Sequence, residues 1–155
     1  MDELRGIFDA CGLKGAETFI ASGNVTFEAA SARGLEKKIE RQLKAALGYD
    51  VETFLRDAEQ IRAVHLYQPF PNAAMEAAHS VSVGFARGVL DAECVKSFNS
   101  DADEFHVHGS EIYWRAVKPQ HETKMNGKKF ERAIGGPVTF RNLNTIARLA
   151  AKYIH

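Results

Sequence analysis

Two Gly-X dipeptides, Gly23-Asn24 and Gly109-Ser110, sit 86 positions apart in this chain, each among short runs of alternating apolar and polar residues. Glycine followed by a small polar residue is the pattern of a two-residue hairpin turn, because glycine takes the positive φ that such a turn needs. The apolar segments that begin at Val51 and at Pro137 are separated by the same 86 positions. This periodicity constrains the chain to a duplicated fold built on two hairpins.

In the first copy, Leu4, Ile7, Phe8 and Cys11 recur at helical spacing and Gly12 ends the run. A turn at Gly23-Asn24 sets Ser22 opposite Val25 and Ile20 opposite Phe27, so Ile20, Val25 and Phe27 share a core face. A second helix opens near Ser31, carries Leu35, Ile39, Leu43 and Leu47, and stops at Gly48. A strand over 51–56 closes the copy. Asp57 and Gln60 form a capping-box pattern for a connector helix over 57–67, and Pro69-Phe70-Pro71 breaks it ahead of a small-residue link to Ala78.

The second copy begins with a strand over 81–87, in which Val81, Val83 and Phe85 alternate with Ser82, Gly84 and Ala86. Asp91 caps a short helix with Cys94, Val95 and Phe98 on its inner side. In the hairpin, Phe105 falls opposite Trp114 and Val107 opposite Ile112, while His106 and His108 face Tyr113 and Glu111 on the other side. A helix from Thr123 carries Met125, Phe130, Ala133 and Ile134 to the stop at Gly135-Gly136-Pro137. A strand over 138–141 then leads to Asn142, a good N-cap, and a last helix with Leu143, Ile146, Leu149, Ala150 and Tyr153.

Strand-helix-strand-strand-helix-strand is the split βαβ, an antiparallel sheet with helices on one face. The expected fold is therefore α+β: two tandem ferredoxin-like (βαββαβ) units, the first lacking its first strand, plus a C-terminal helix. The expected boundaries are 1–57, a connector over 58–79, and 80–155. The alternative is one continuous mixed sheet shared by both copies. The offset puts the counterpart of strand 81–87 before Met1. Leaving its two neighbours open would cost about 1–3 kcal/mol per buried unsatisfied group. Three remedies are expected to compete: a chain start upstream of Met1, closure of the remaining strands, or a strand donated by a partner, including a second copy.

At 155 residues and 45% hydrophobic, the chain can bury a substantial core. Cys11 and Cys94 stand on apolar helix faces away from metal-ligand spacing, which reads as reduced thiols in a cytoplasmic protein. No apolar run reaches the roughly 18 residues of a membrane span. Asp2, Glu3, Arg5, Asp9, Lys14 and Glu17 leave no room for a signal-peptide core. The formal net charge is zero but unevenly spread. Residues 118–155 hold eight Lys/Arg against Glu122 and Glu131, a balance of +6. The preceding 117 residues hold twelve basic and eighteen acidic side chains, a balance of −6. That polarity marks either an anion-binding end or two complementary halves.

Lys124 and Lys128 on one helix side, with Thr139, Arg141, Asn142, Asn144 and Thr145 around a strand-to-helix junction, form the most suggestive cluster. Free backbone N–H groups at a helix start beside Arg and Lys suit a phosphate or carboxylate. The plain alternative is that Asn142 and Thr145 cap the helix while the lysines are solvated. Ser22, Gly23 and Asn24 are accounted for by a turn. His106 and His108 share a strand face but have no third metal ligand at a recognisable spacing, so no metal is expected. The helix-free face of the second sheet would show Ser82, His106, His108, Tyr113, Arg115, Thr139 and Arg141. This is the kind of surface on which RNA-recognition domains stack bases. Only Tyr113 there is a strong platform, so nucleic acid is not the expected partner.

SGNVTF at 22–27, the PFP at 69–71, TKMNG at 123–127 and TFRNLNT at 139–145 occur in this order along the chain. Together they resemble a bacterial family of uncharacterised proteins, domain-of-unknown-function family 1697. The resemblance implies tandem ferredoxin-like domains. It also implies an opening strand with a glycine-containing LLRGINVGG-like segment, which this sequence does not contain. Members tend to have SKLTN where this chain has TKMNG, and tryptophan where Leu143 stands. The resemblance brings no reaction with it. The sequence thus reads as a cytoplasmic, cofactor-free binding or interaction module with an anion-accepting basic C-terminal region and a small anionic ligand. The alternatives are an enzyme acting on a small phosphorylated or carboxylated metabolite between the units, through Lys124 and Arg141, and weak binding of RNA or single-stranded DNA.

Overall fold

A computed structural model describes residues 2–19, 23–87, 90–119 and 126–153. The chain divides into two compact units, Met1–Leu55 and Arg56–His155. The fold is α+β: two ferredoxin-like units in tandem, with a C-terminal helix.

Unit one contains α1 (Asp2–Ala10), β1 (Lys14–Phe19), β2 (Asn24–Glu28) and α2 (Leu35–Leu47). The two helices bury the face read from their spacing: Ile7, Phe8 and Cys11 from α1, and Leu35, Ile39 and Leu43 from α2. Val25 and Phe27 pack on this core, with Phe27 at 5.4 Å from the Phe8 ring.

The first hairpin departs from the expected register. Thr18 pairs with Val25 and Phe19 with Asn24, so Gly23-Asn24 is not its two-residue turn. Asn24 already belongs to β2, while Ile20, whose pairing with Phe27 was expected, lies outside the described residues. Gly23 does take the positive φ expected of it, 80°. The strand expected over 51–56 is also not formed. The Thr53 N–H donates to Glu40 Oε2 (2.9 Å) and the Leu55 N–H to Glu36 Oε2 (2.8 Å), both carboxylates of α2. The equivalent strand of unit two pairs only with the strand that has no described counterpart in unit one, which explains the difference.

Unit two contains α3 (Ala58–Leu66), α4 (Asn72–Ala77), β3 (Ser80–Ala86), α5 (Ala92–Lys96), β4 (Asp103–His108), β5 (Glu111–Ala116), α6 (Gly127–Ile134), β6 (Val138–Asn142) and α7 (Leu143–Tyr153). The sheet order is β4-β5-β3-β6, antiparallel throughout, as the split βαβ requires. The second hairpin has the register read from its sequence: Phe105 opposite Trp114, Val107 opposite Ile112, and Gly109-Ser110 as the turn. One sheet face packs Phe105, Ile112 and Ala86 on Val95 of α5 and Phe130 of α6, with Trp114 and Phe140 alongside. Trp114 Nε1 donates to the buried Asp103 carboxylate at 2.8 Å.

The other face is not helix-free. Ser82 pairs with Trp114 and Asn142, which puts it on the α5/α6 side, whereas Val83 pairs with Tyr113 and Arg141. Val81, Val83 and Phe85 therefore stand on the face expected to be open, and Val83 and Phe85 are buried there. The cover comes from the segment that the sequence presents as a connector. α3 opens on the Asp57/Gln60 capping box, packs on α7, and delivers Tyr67 onto the sheet. α7 in turn packs on β3. A sheet buried on both faces needs apolar residues on both, which is why the alternation in β3 misleads about direction.

Candidate functional site

β6 and the first turn of α7 carry most of the residues singled out by sequence. Asn142 caps α7 as expected, its Oδ1 accepting the Asn144 N–H at 2.8 Å. Arg141 is turned inward. One guanidinium nitrogen donates to Thr139 Oγ1 (2.6 Å) and to the Phe140 carbonyl (2.9 Å), and burial pulls its pKa below the ordinary arginine value. Asn142 and Asn144 are exposed, and Thr139 and Thr145 half-buried. Lys128 is exposed on the first turn of α6, in the helical layer opposite to the one that covers Arg141. Lys124 and Ser22 lie outside the described residues, as do Thr123 and Met125. The α6 helix is described from Gly127, with Asn126 Oδ1 accepting the Lys129 N–H. The structure thus gathers Thr139, Arg141, Asn142, Asn144 and Thr145 along one junction and leaves Lys128 apart from them.

A cleft of about 400 Å³ opens beside that junction. Its walls are the end of α3 and its cap (His65, Leu66, Tyr67, Gln68), α4 (Asn72, Met75) and α7 (Leu143, Asn144, Ala147). Gln68 Nε2 donates to Asn72 Oδ1 and to the Phe70 carbonyl, both at 3.0 Å, and so fixes the α3–α4 corner. Leu66 is 68% exposed at the rim. Among the described residues, Asn144 is the one candidate from the sequence that enters the cleft, its N–H held by the Asn142 cap. The others were not singled out as site residues; Leu143 was read only as part of the last helix and of the TFRNLNT segment, and the PFP break marks the turn after Tyr67.

Beneath the cleft lies an aromatic stack. Tyr67 lies flat on His108, with ring centroids 3.9 Å apart, and its hydroxyl is hydrogen-bonded to His106 Nε2 at 2.6 Å. Phe70, 4% exposed, meets His106 edge-on, and the Arg115 guanidinium lies over the Phe70 ring at 5.9 Å. Tyr113 is 1% exposed, and burial, with Glu111 and Tyr67 adding, pushes its phenol pKa up. The surface read as a stacking platform is therefore filled by the protein's own rings. Among the described residues, no three His, Cys, Asp or Glu side chains are grouped to hold a metal ion.

Residues 1–113 match the model of a family described as "Protein of unknown function (DUF1697)". The matched stretch ends in β5, so β6 and α7 lie beyond it. No curated protein and no solved structure matches the chain.

Proposed function

The chain belongs to the DUF1697 family, and we propose that it is a binding module whose second unit takes a small ligand with an apolar body and a carboxylate or phosphate end. The observation that carries this reading is the cleft against the first turn of α7. Met75, Leu143 and Ala147 supply apolar lining with Leu66 at the rim, and His65, Asn72 and Asn144 supply polar groups. A helix N-terminus favours negative charge through its aligned backbone dipoles. The +6 balance of residues 118–155 adds a favourable field. Binding is preferred to catalysis because Arg141, the arginine an enzyme would use at this junction, is already held by Thr139 and the Phe140 carbonyl. Two free cysteines support placing the module in a reducing, cytoplasmic compartment.

The test is thermal denaturation with hexanoate and with phenyl phosphate, on the parent chain and on Ala147→Trp, which fills the cleft. A saturable rise in melting temperature that the variant abolishes is expected. Equal rises in both proteins, or no rise with either compound, would overturn the reading.

A further inference from the structure

Tyr67 belongs to two arrangements at once. It is the C-terminal cap of α3, its N–H donating to the Ala63 and Val64 carbonyls, and it stands in the wall of the cleft. Its ring lies flat on His108 at 3.9 Å, and its hydroxyl meets His106 Nε2 at 2.6 Å. The place of this wall is therefore set by a bond to a titratable ring of β4. The α4 side of the same corner is anchored independently: Phe70 is buried, and Arg115 Nη1 donates to the Ala74 carbonyl at 3.4 Å. The Tyr67 bond thus governs the α3 side of the cleft.

His106 sits among groups that on balance resist its protonation. Glu104 and His108 of its own strand share its sheet face, as do Glu111, Tyr113 and Arg115 of β5. Tyr67 reaches it from α3, and α5 contributes the charge of Lys96. Burial, His108 and Lys96 all disfavour a positive ring. Glu104 favours one, but Arg115 already holds that carboxylate at 2.7 Å. A protonated ring has no lone pair at Nε2 with which to accept the Tyr67 hydroxyl. It also needs hydration that the closed arrangement withholds. Acid therefore favours any arrangement in which the ring reaches water.

We propose that the Tyr67–His106 bond is a pH-sensitive latch on the cleft, closed around an anionic ligand while the His106 ring is neutral and released when that ring takes up a proton. The inference rests on the reading of the cleft as a ligand site and adds its regulation. By reciprocity, a ligand held by the closed arrangement makes His106 harder to protonate. The latch runs against the cleft's own histidine. His65 gains positive charge in acid and would then hold an anion more tightly.

Hexanoate is titrated calorimetrically into the full chain from pH 7 to pH 5, on the parent and on His106→Gln, whose amide oxygen accepts the tyrosine hydroxyl at every pH. Comparing the two proteins at one pH cancels the protonation of hexanoate and of His65. The parent should lose affinity by about threefold or more relative to His106→Gln over this range, the scale of one net hydrogen bond. An NMR titration of the His106 ring in the parent, which needs no variant, should show its pKa moved further down by saturating hexanoate. No binding at pH 7, or binding that Ala147→Trp leaves intact, would overturn the cleft reading and the latch with it. Binding that Ala147→Trp abolishes, but with the same pH profile in the parent and in His106→Gln, would overturn the latch alone. So would a His106 pKa that hexanoate leaves in place.

Discussion

Tyr67 and His106 are joined by a 2.6 Å hydrogen bond that ties the cap of α3 to the middle of β4. The bond fixes the segment that covers the second face of the sheet and forms one wall of the cleft. Replacing Tyr67 with Phe keeps the stacking on His108 and removes the hydroxyl. A loss of about 0.5–1.5 kcal/mol is expected, read as a lower urea midpoint. A parent-like midpoint would mean that stacking alone secures the segment.

The same pair gives stability a pH dependence of defined sign. Burial is the main cause that lowers the His106 pKa, with His108 and Lys96 adding and Glu104 opposing. The fold therefore prefers the neutral ring, whose Nε2 can accept from Tyr67. A histidine whose folded pKa lies below its unfolded value, about 6.5, contributes fully above that value. The contribution disappears as pH falls from 6.5 through the depressed folded pKa. The urea midpoint should drop between pH 7 and pH 5, and His106→Asn should flatten that part of the profile. Superimposable profiles would locate the dependence elsewhere.

Gly84 is placed where a side chain has no room. A Cβ there would come within 2.6 Å of Phe140 Cε1 and 2.9 Å of Val138 Cγ2. Gly84→Ala should therefore cost about 1–3 kcal/mol by overpacking the α5/α6 face. Chemical denaturation of the variant measures it, and an unchanged midpoint would show that Phe140 swings aside without cost.

Trp114 and Asp103 form the polar contact inside that layer. Asp103 is 1% exposed and accepts from the indole N–H. Trp114→Phe preserves the ring packing against Phe105 and Phe140 but withdraws one donor from a buried carboxylate. The expected cost is about 1–3 kcal/mol. Trp114→Phe/Asp103→Asn should recover part of it, since the amide needs less solvation than a charge.

How much of this was legible depends on how local each signal is. Gly109-Ser110 sits between two alternating runs that agree with each other, so one register satisfies both, and β4-β5 adopts it. Around Gly23 the apolar residues are compatible with more than one pairing, and the register actually taken differs by a shift that keeps Val25 and Phe27 inward. The strand β3 carries Val81, Val83 and Phe85 on one side and Gly84 and Ala86 on the other. Its apolar side looks like the core side until Gly84 is seen to make room for Phe140. The capping roles of Asp57, Asp91 and Asn142 were readable because a cap acts within three residues. The cleft was not, because Tyr67 and Asn144 are 77 positions apart and meet only through the packing of α3 on α7.

Glu36 and Glu40 offer the sharpest test of how unit one holds residues 51–55. Each carboxylate accepts a backbone N–H across more than ten residues of chain, Glu40 from Thr53 and Glu36 from Leu55. Hydrogen bonds to charged acceptors are worth about 1.5–3 kcal/mol. Both glutamates are half-buried, so the lower end is expected for each single change to Ala. Because the two bonds restrain one segment, the double variant should lose less than the sum of the singles: once one is gone, the other holds a chain already loosened. Urea denaturation supplies the three free energies, and hydrogen exchange at Thr53 and Leu55 shows whether the segment has been released. Additive losses with unchanged exchange would mean that the core contacts of Val51 and Leu55, rather than the carboxylates, hold it in place.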